Sequence, residues 1–263
     1  MINKPLVSIL IANYNNGNLV KKCVKSCKDQ TYKNIEIILI DDKSKDNSLK
    51  VISKLKGIKF IKTKKNKTNV GAFNQMNAYY EAFKKSKGKI IFLCDSDDFF
   101  HKKKVDSIVR FFHKNKSKIY VHDLAVEYDR DFNYRKKILR ERKFNLNIWP
   151  RFSPTSCISV KRNYFKECYK KINFSKFPNI WMDFRMAVYF SFIEKNYSVL
   201  AKHYTYYFRH KNSISSQFEF FSKNWWSRRL EAHKYMEFFL KKNKIKYKFS
   251  LDFFICNLIN TFR

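Results

Sequence analysis

The sequence predicts an α/β fold built on a mostly parallel β-sheet with helices on both faces. Over the first hundred residues, short apolar runs rich in β-branched residues alternate with segments whose apolar residues recur at helical spacing. The runs are apolar at almost every position, which is typical of strands covered on both faces. Strands and helices that alternate in this way favour a parallel sheet flanked by helices.

The predicted elements follow one another closely from the N-terminus. Four apolar runs predict strands, at residues 6–11, 35–40, 58–61 and 89–93. A helix is predicted after each of the first three runs. The apolar positions are Leu19, Val20, Cys23, Val24 and Cys27 in the first helix, Leu49, Ile52 and Leu55 in the second, and Phe73, Met76, Tyr80 and Phe83 in the third. Each helix therefore has one apolar face that can cover the sheet.

The regular alternation of predicted strands and helices ends near residue 126, and on this basis the chain divides into three regions. Residues 1–125 hold the predicted sheet. Residues 126–216 are basic and aromatic, and we expect them to form an irregular second half packed on that sheet. Residues 217–263 predict an appended helical region, with Trp225, Ala232, Met236, Phe239 and Leu240 on one side of a helix.

The composition predicts a globular, strongly basic protein. The chain has 263 residues, of which 56 are Lys or Arg and 22 are Asp or Glu, so its formal net charge is +34. A hydrophobic fraction of 44% and an aromatic fraction of 18% exclude a disordered basic tail. The length allows one large domain or two small ones. The charge points to a polyanionic partner: nucleic acid, an anionic membrane surface or a phosphate-rich substrate.

The cysteines and the apolar runs indicate a reducing compartment and no membrane span. The six cysteines include no C-x-x-C pair, and we expect them to be reduced core residues. No apolar stretch reaches the roughly 20 residues of a spanning helix. The N-terminus lacks the pattern of a secretory signal, so we expect the chain in the cytoplasm.

Acidic residues follow two of the predicted strands, where a parallel sheet has its ligand site. Asp41, Asp42 and Asp46 come after the second strand, and Asp95, Asp97 and Asp98 come after the fourth. Asp95 and Asp97 stand on alternate positions of an extended turn, so both can reach one Mg²⁺ or Mn²⁺ ion, or one can reach the ion and the other a ribose hydroxyl. Asp41 and Asp46 fit turn and helix-cap roles around Asp42.

Four segments in this order resemble the inverting glycosyltransferases of family 2, which have the Rossmann-like GT-A fold. They are V-S-I-L-I-A-N-Y-N at residues 7–15, I-L-I-D-D-K-S-K-D-N-S at 38–48, N-V-G at 69–71 with Asn77 six residues later, and F-L-C-D-S-D-D at 92–98. Looser matches follow at residues 154–156, 181–185 and 207–215. The resemblance implies a nucleotide-sugar-binding half at 1–125 and an acceptor-binding half with the catalytic base at 126–216.

The resemblance also implies a role for each matching residue. Asp42 would accept a hydrogen bond from the base of the nucleotide, Asp95 would face the ribose or the metal, and Asp97 would hold Mn²⁺ or Mg²⁺ on the donor diphosphate. His210 would be a further metal ligand. The other residues implied to bind the nucleotide sugar are Ala12, Tyr14, Asn69, Asn77 and Arg209.

Asp183 is the candidate general base. An inverting transfer needs a group that takes the proton of the acceptor hydroxyl, and in the resembling family this is the Asp of a Glu-Asp pair. Met182 stands here in place of the Glu. The alternative for Asp183 is that it caps a helix beginning at Phe184.

The basic, aromatic C-terminal region has two interpretations. It contains Trp225, Trp226, Arg228 and Arg229, and it can lie on anionic lipid or pack its tryptophan side on the catalytic half. In the first case the protein is peripheral on the inner face of the cytoplasmic membrane, and a lipid-linked glycan becomes a natural acceptor.

The prediction from the sequence is therefore a metal-dependent transfer from a nucleotide sugar, by default a UDP-sugar, to a hydroxyl of a glycan or lipid-linked glycan in cell-surface polysaccharide or lipopolysaccharide assembly. Two alternatives remain. A nucleic-acid-binding protein would use the +34 charge, but acid clusters at strand ends repel phosphate and no nucleic-acid-binding motif is found, so no nucleic acid is expected. A catalytically inactive relative that only binds the sugar nucleotide is consistent with Met182.

Overall fold

The structure is a computed structural model, and it describes residues 4–63, 70–128, 134–135, 149–208, 213 and 218–262. Strands and helices alternate as predicted up to residue 95 and continue beyond it. The strands are β1 (Val7–Asn13), β2 (Ile35–Asp41), β3 (Lys59–Lys62), β4 (Ile90–Asp95), β5 (Phe99–Phe100), β6 (Tyr120–Tyr128), β7 (Tyr134–Arg135), β8 (Ile158–Lys161) and β9 (Val199–Phe208). The helices are α1 (Gly17–Lys28), α2 (Ser48–Ile52), α3 (Gly71–Lys84), α4 (Lys104–Lys114), α5 (Arg162–Ile172), α6 (Met182–Val188), α7 (Lys223–Lys242) and α8 (Leu251–Thr261).

All the described strands belong to one sheet, in the order β3-β2-β1-β4-β8-β6-β9-β5, with β7 paired to β6. The pairs among β3, β2, β1 and β4 are parallel, which confirms the predicted parallel sheet there. Further along, β8 is antiparallel to both β4 and β6, and β9 is parallel to β6 and antiparallel to β5. The described sheet is thus mixed.

The sheet separates two apolar cores because side chains on a strand point alternately to its two faces. On β1, Val7, Ile9 and Ile11 pack with the buried faces of α1 and α4. Leu10 points the other way, into a larger core with α3, α5, α6 and α7. This two-sided coverage explains why the strands are apolar at nearly every position.

The second half departs from its predicted irregularity. β6 runs across the predicted boundary at 125/126, and β8 and β9 extend the same sheet. The two halves are therefore joined through continuous strand pairing. The antiparallel strands lie far apart in the chain, so they produce no strand–helix rhythm in the sequence.

The C-terminal region is helical, as predicted. Ala232, Met236, Phe239 and Leu240 of α7 are buried in the larger core. At the seam between α7 and α8, Asp252 accepts hydrogen bonds from Arg229 Nε at 2.8 Å and from His233 Nε2 at 2.6 Å. The hydrogen bonds of the buried Asp252 thus link α8 to α7.

Two further expectations are met in the described part of the chain. No helix there combines the length and the apolar character that a membrane span requires. All six cysteines are free thiols and buried, which confirms that they are reduced core residues.

Candidate functional site

The predicted site lies at the carboxyl ends of β1, β2 and β4. In the sheet register, Ala12 of β1 pairs with Ile40 of β2 and with Asp95 of β4, and Asn13 pairs with Asp41. The acidic turns that follow β2 and β4 therefore flank the end of β1 on its two sides. This is the position at which open α/β sheets bind ligands.

The turn after β2 assigns different roles to its acids. Asp41 accepts hydrogen bonds from Asn13 Nδ2 at 2.8 Å, Ser44 N at 2.9 Å and Ser44 Oγ at 2.6 Å. Asp46 accepts from Gly17 N and Ser48 N, both at 2.9 Å, and so satisfies the first turns of α1 and α2. The turn and cap roles predicted for these two acids are confirmed.

Asp42 is bonded to the segments on both sides of it. Its Oδ1 accepts a hydrogen bond from Thr63 Oγ1 at 3.1 Å, beyond the end of β3, and its backbone N–H donates to the Asn13 carbonyl at 2.8 Å. Thr63 thus orients the carboxylate, and the bond to Asn13 fixes the backbone that carries it. This arrangement suits a group that must hold one direction towards a ligand.

Tyr14 stands at the rim, with 45% of its surface exposed. The residue after it, Asn15, has a left-handed φ of 54°, which asparagine adopts more readily than most residues. Asn15 N donates to Ser44 Oγ at 2.8 Å, and Asn15 Oδ1 accepts from Lys45 N at 2.7 Å. These two hydrogen bonds thus connect the turn after β1 to the turn after β2.

Asp95 ends β4 and is held by two donors from α3. Gln75 Nε2 and the Tyr79 hydroxyl both donate to Oδ1, each at 2.6 Å. Because both bonds go to one oxygen, Oδ2 is the atom that can face a ligand. Burial and, second, the Asp97 carboxylate raise the pKa of Asp95 to about 7.

Asp98 is part of the scaffold. Its carboxylate accepts from Ser156 Oγ at 2.5 Å and from Phe208 N at 2.9 Å, and the side chain is fully buried. Ser156 Oγ in turn accepts from Asp95 N at 2.8 Å. Asp98 therefore joins the acidic turn to the 3₁₀ turn Thr155–Cys157 and to the end of β9. Asp97, which stands between Asp95 and Asp98 in the sequence, is half-buried.

The acidic turn fits a divalent cation. Burial and the neighbouring carboxylates raise the pKa of both Asp95 and Asp98, so the fold holds like charges close together. A hard cation with oxygen ligands would relieve this repulsion. Asp97 and Oδ2 of Asp95 are the atoms suited to hold it. No described contact bears on His210, which lies outside the described residues.

Asp183 lies in the first turn of α6, and Trp181 is the N-cap residue of that helix. Asp183 Oδ1 accepts a hydrogen bond from Phe184 N at 2.7 Å, and Met182 beside it is buried in the larger core. Burial raises the pKa of Asp183 to about 7, and the nearby Arg228 guanidinium acts against this rise. The charge of Asp183 also raises the pKa of Asp95, so both acids lie in one electrostatic environment.

Three predicted residues, Asn69, Arg209 and His210, lie outside the described residues. Asn77 is described, and its Oδ1 accepts from the Tyr169 hydroxyl at 2.8 Å. Positions 75 and 79 of α3 face Asp95, and position 77 is about 200° of helix rotation from each. Asn77 thus joins α3 to α5 and is not brought to Asp95.

Sequence reasoning missed Gln75, Tyr79 and Ser156. Gln75 and Tyr79 are one helical turn apart, and a polar pair on the sheet-facing side of a predicted helix was the available signal. Ser156 lies in the loosely matching segment 154–156, but that match indicated no contact with Asp95 or Asp98, which are about sixty residues away in the chain.

The chain was compared with known families and proteins. The model of the family "Glycosyl transferase family 2" matches residues 8–173, which is more than half of the chain. The Escherichia coli glucosyltransferase WfaP, named as acting from UDP-Glc on α-D-GlcNAc-diphosphoundecaprenol, is 40% identical over 111 residues, 42% of this chain and 43% of WfaP. The Staphylococcus aureus poly(ribitol-phosphate) β-N-acetylglucosaminyltransferase TarP is 29% identical over 208 residues, 76% of this chain and 62% of TarP.

Solved structures share the fold. A crystal structure of residues 1–349 of S. aureus TarS with UDP-GlcNAc matches with a TM-score of 0.64 and 14% identity, over 97% of this chain and 70% of that one. The Pyrobaculum calidifontis mannosyltransferase PcManGT, in complex with GDP-Man and Mn²⁺, matches with a TM-score of 0.57 and 13% identity, over 98% of this chain and 70% of that one. The predicted GT-A fold is confirmed.

The chain spans 43% of the length of WfaP and 62% of that of TarP. The family match covers both the acidic turns and the strands that carry them. On this match, the chain belongs to glycosyltransferase family 2.

Proposed function

We propose that this chain transfers a sugar from a nucleoside-diphosphate sugar, by default a UDP-sugar, to a hydroxyl of a glycan or lipid-linked glycan, with inversion at the anomeric carbon. The observation that carries the proposal is the common electrostatic environment of Asp95, Asp97 and Asp183. A donor-binding acid pair and a separate buried carboxyl are what a direct displacement needs. The name of WfaP and the TarS complex with UDP-GlcNAc support a UDP-sugar donor, and the acceptors named for WfaP and TarP, GlcNAc-diphosphoundecaprenol and poly(ribitol-phosphate), support a lipid-linked sugar or a polymer as acceptor.

The donor would lie across the ends of β1, β2 and β4. In this proposal Asp42 accepts a hydrogen bond from the nucleotide base, and the Tyr14 ring, which is 45% exposed, stacks beside that base. Ala12 has only a methyl side chain, which leaves room next to Asp95. Oδ2 of Asp95 and the Asp97 carboxylate point to the ribose and the diphosphate. Arg209 and His210 are assigned to the diphosphate by the family resemblance alone.

A divalent cation held by Asp97 and Asp95, Mn²⁺ or Mg²⁺, would neutralise charge on the departing nucleoside diphosphate. The protein itself supplies the proton acceptor. In our proposal, Asp183 takes the proton of the acceptor hydroxyl while that oxygen bonds to the anomeric carbon. The bond from that carbon to the diphosphate oxygen breaks, and the diphosphate keeps the electron pair. With a pKa raised to about 7, Asp183 is a stronger base than an ordinary carboxylate.

A catalytically inactive relative is the second candidate function, and Met182 is the observation that favours it. A buried methionine occupies the place where the resembling family has Glu. The inactive candidate predicts donor binding without turnover, and an Asp183→Asn variant indistinguishable from the unaltered protein.

We also propose that the C-terminal region contacts an anionic membrane, on the cytoplasmic side. Of the residues first considered, Arg228 is buried and Arg229 is paired with Asp252, so neither is an outward-facing basic group. Phe220 and Phe221, which pack on Trp225, are 68% and 57% exposed, and on α8, Leu251, Phe254 and Leu258 are each 58–59% exposed. Lys244, Lys246 and Lys248 precede this stripe and suit anionic headgroups.

The test is donor binding and hydrolysis with a panel of UDP-, GDP- and dTDP-sugars, in Mn²⁺, Mg²⁺ or EDTA. We expect one donor to bind and to hydrolyse slowly, and both activities to disappear in EDTA and in Asp97→Ala. Asp106→Ala, which removes an acid on the surface of α4, serves as the control for loss of one negative charge. Failure of all donors to bind would refute the proposed function.

A further inference from the structure

Arg228 of α7 is a buried cation with an unused donor. Its side chain is only 3% exposed, and Nε donates to the Asn179 carbonyl at 2.9 Å. The guanidinium carbon lies 3.7 Å from the centre of the Trp181 ring and 3.9 Å from that of Phe218. Two aromatic rings and one hydrogen bond thus fix the plane and the direction of the group.

The Nη2 nitrogen of Arg228 is buried and has no hydrogen-bond partner among the described residues. A buried guanidinium with an unsatisfied N–H is costly, because the group gives up water without an equivalent replacement. The cost is unnecessary for packing alone, since an apolar side chain would fill the space between the two rings. An orientated, unsatisfied donor is instead what a site for an anion provides.

The position of Arg228 indicates which anion this is. Trp181, on which the guanidinium stacks, is the N-cap of α6, and Asp183 lies two residues further on. Burial lowers the pKa of Arg228 to about 9 and raises that of Asp183, and the charge of each group acts against the shift of the other, so the two groups are close. Nη2 nonetheless does not bond to Asp183. The unsatisfied donor therefore lies near the candidate base without being paired to it.

We propose that Arg228 binds an oxyanion of the acceptor, a phosphate or a carboxylate group, beside the hydroxyl whose proton Asp183 accepts. This rests on the proposed function for the role of Asp183. An anionic acceptor in a site that holds Asp95, Asp97 and Asp183 meets repulsion, and a fixed guanidinium near Asp183 offsets it. The net charge of +34 is consistent with a polyanionic acceptor.

The first experiment measures the binding of inorganic phosphate in EDTA and without donor, by ³¹P NMR titration. The variants are Arg228→Gln and Arg228→Lys, with Arg110→Gln as a charge-matched control whose side chain is on the surface of α4. We expect Arg228→Gln to weaken phosphate binding about tenfold, since one hydrogen bond between charged groups is worth at least that factor. Arg110→Gln should bind as the unaltered protein does, and Arg228→Lys should fall between them.

The second experiment separates the acceptor oxyanion from the donor diphosphate. UDP binding with Mn²⁺ should change less than about twofold in Arg228→Gln, because a tenfold change is what loss of a direct contact would produce. If UDP binding falls tenfold, Arg228 binds the donor and the inference is wrong. If phosphate binding is unchanged while the pH midpoint of donor hydrolysis moves, Arg228 acts only through Asp183, and the inference is again wrong.

Two controls keep the result independent of folding and of the proposed function. Asp97→Ala should lose donor binding and keep phosphate binding, so failure of one proposal is distinguishable from failure of the other. If Arg228→Gln does not fold, a tungstate soak of crystals of the unaltered protein replaces it. An anomalous peak within hydrogen-bond distance of Arg228 Nη2 supports the inference, and the absence of a peak there overturns it.

Discussion

The Tyr79 hydroxyl donates a 2.6 Å hydrogen bond to Oδ1 of Asp95, from the face of α3 that lies on the end of β4. Gln75, one helical turn earlier, donates to the same oxygen. Both bonds favour the charged form of a carboxyl group that burial would otherwise keep neutral. α3 thus contributes to the candidate metal site without supplying a ligand.

Replacing Tyr79 by Phe should weaken Mn²⁺ binding at pH 7 by about tenfold, because a hydrogen bond to a charged group is worth roughly 1.5 kcal/mol or more. Without that bond, the Asp95 carboxyl holds its proton more tightly against the incoming cation. Titration of Mn²⁺ by electron paramagnetic resonance measures the effect. Tyr235→Phe is the matched control, since the buried Tyr235 hydroxyl has no partner among the described residues. Equal Mn²⁺ affinities in the two variants would contradict the role of Tyr79.

The pH profile of donor turnover should rise through about pH 7, as Asp183 loses its proton and becomes able to accept another. Asp183→Asn should reduce the rate of transfer to the acceptor by a factor of about 10² to 10⁴, the usual contribution of a general base. Initial rates between pH 5.5 and 8.5 test both statements. A rate that is independent of pH in this range, with full activity in Asp183→Asn, would contradict the role of Asp183 as the general base.

Folding stability should carry the opposite dependence on pH. The pKa of Asp183 is raised in the folded protein, so between pH 4 and pH 7 the folded state holds a proton that the unfolded state has lost. Its contribution to the free energy of unfolding is therefore present at low pH and lost as the pH rises through 7. Asp183→Asn, which stays neutral, should lack this loss. Urea unfolding of both proteins at pH 5 and pH 8 gives the change in the free energy of unfolding between the two pH values. An equal change in the two proteins would show that the pKa of Asp183 is not raised.

Lys104 should be one of the most sensitive positions for stability. Its ammonium group is fully buried, lies 2.8 Å from Asp123 Oδ1, and donates to the Ser156 carbonyl and to Thr205 Oγ1. Lys104→Met leaves the buried Asp123 carboxylate without its cation, at a cost of about 3–5 kcal/mol. Urea denaturation measures this cost. Lys104→Met combined with Asp123→Leu should recover part of it, and no recovery would mean that the ammonium matters for packing rather than for charge.

Binding to anionic vesicles should depend on the exposed stripe of α8. Replacing Leu251, Phe254 and Leu258 together by Ser should reduce co-sedimentation with phosphatidylglycerol vesicles by about tenfold or more, since each buried apolar side chain contributes roughly 1.5–3 kcal/mol. Phe60→Ser, at an exposed apolar position on β3, is the control. Unchanged sedimentation of the triple variant would exclude this face. A shift from dimer to monomer on gel filtration would instead identify a second copy of the chain as its occupant.

Much of the fold could be predicted from local patterns. Runs such as residues 35–40 are apolar on both faces, and this property depends only on neighbouring residues, so β1, β2, β3 and β4 were predicted to within about two residues. The acid turns after β2 and β4 followed directly, because the position of a turn after a strand is also local. The second half was less predictable: β8 and β9 pair with strands far away in the chain, and such pairing leaves no period in the sequence.

The sequence by itself determined the parallel half of the sheet, the acids at its carboxyl edge and the excess of basic charge. Only the tertiary structure decided which of those acids have hydrogen-bond partners within the fold. Asp98 stabilises the fold because it accepts hydrogen bonds from Ser156 and Phe208. Asp95 accepts a hydrogen bond from Tyr79, which favours its charged form. Arg228 comes close to Asp183 across forty-five residues. A carboxylate's role depends on burial and on partners brought together by packing, and neither is encoded in the spacing of adjacent residues.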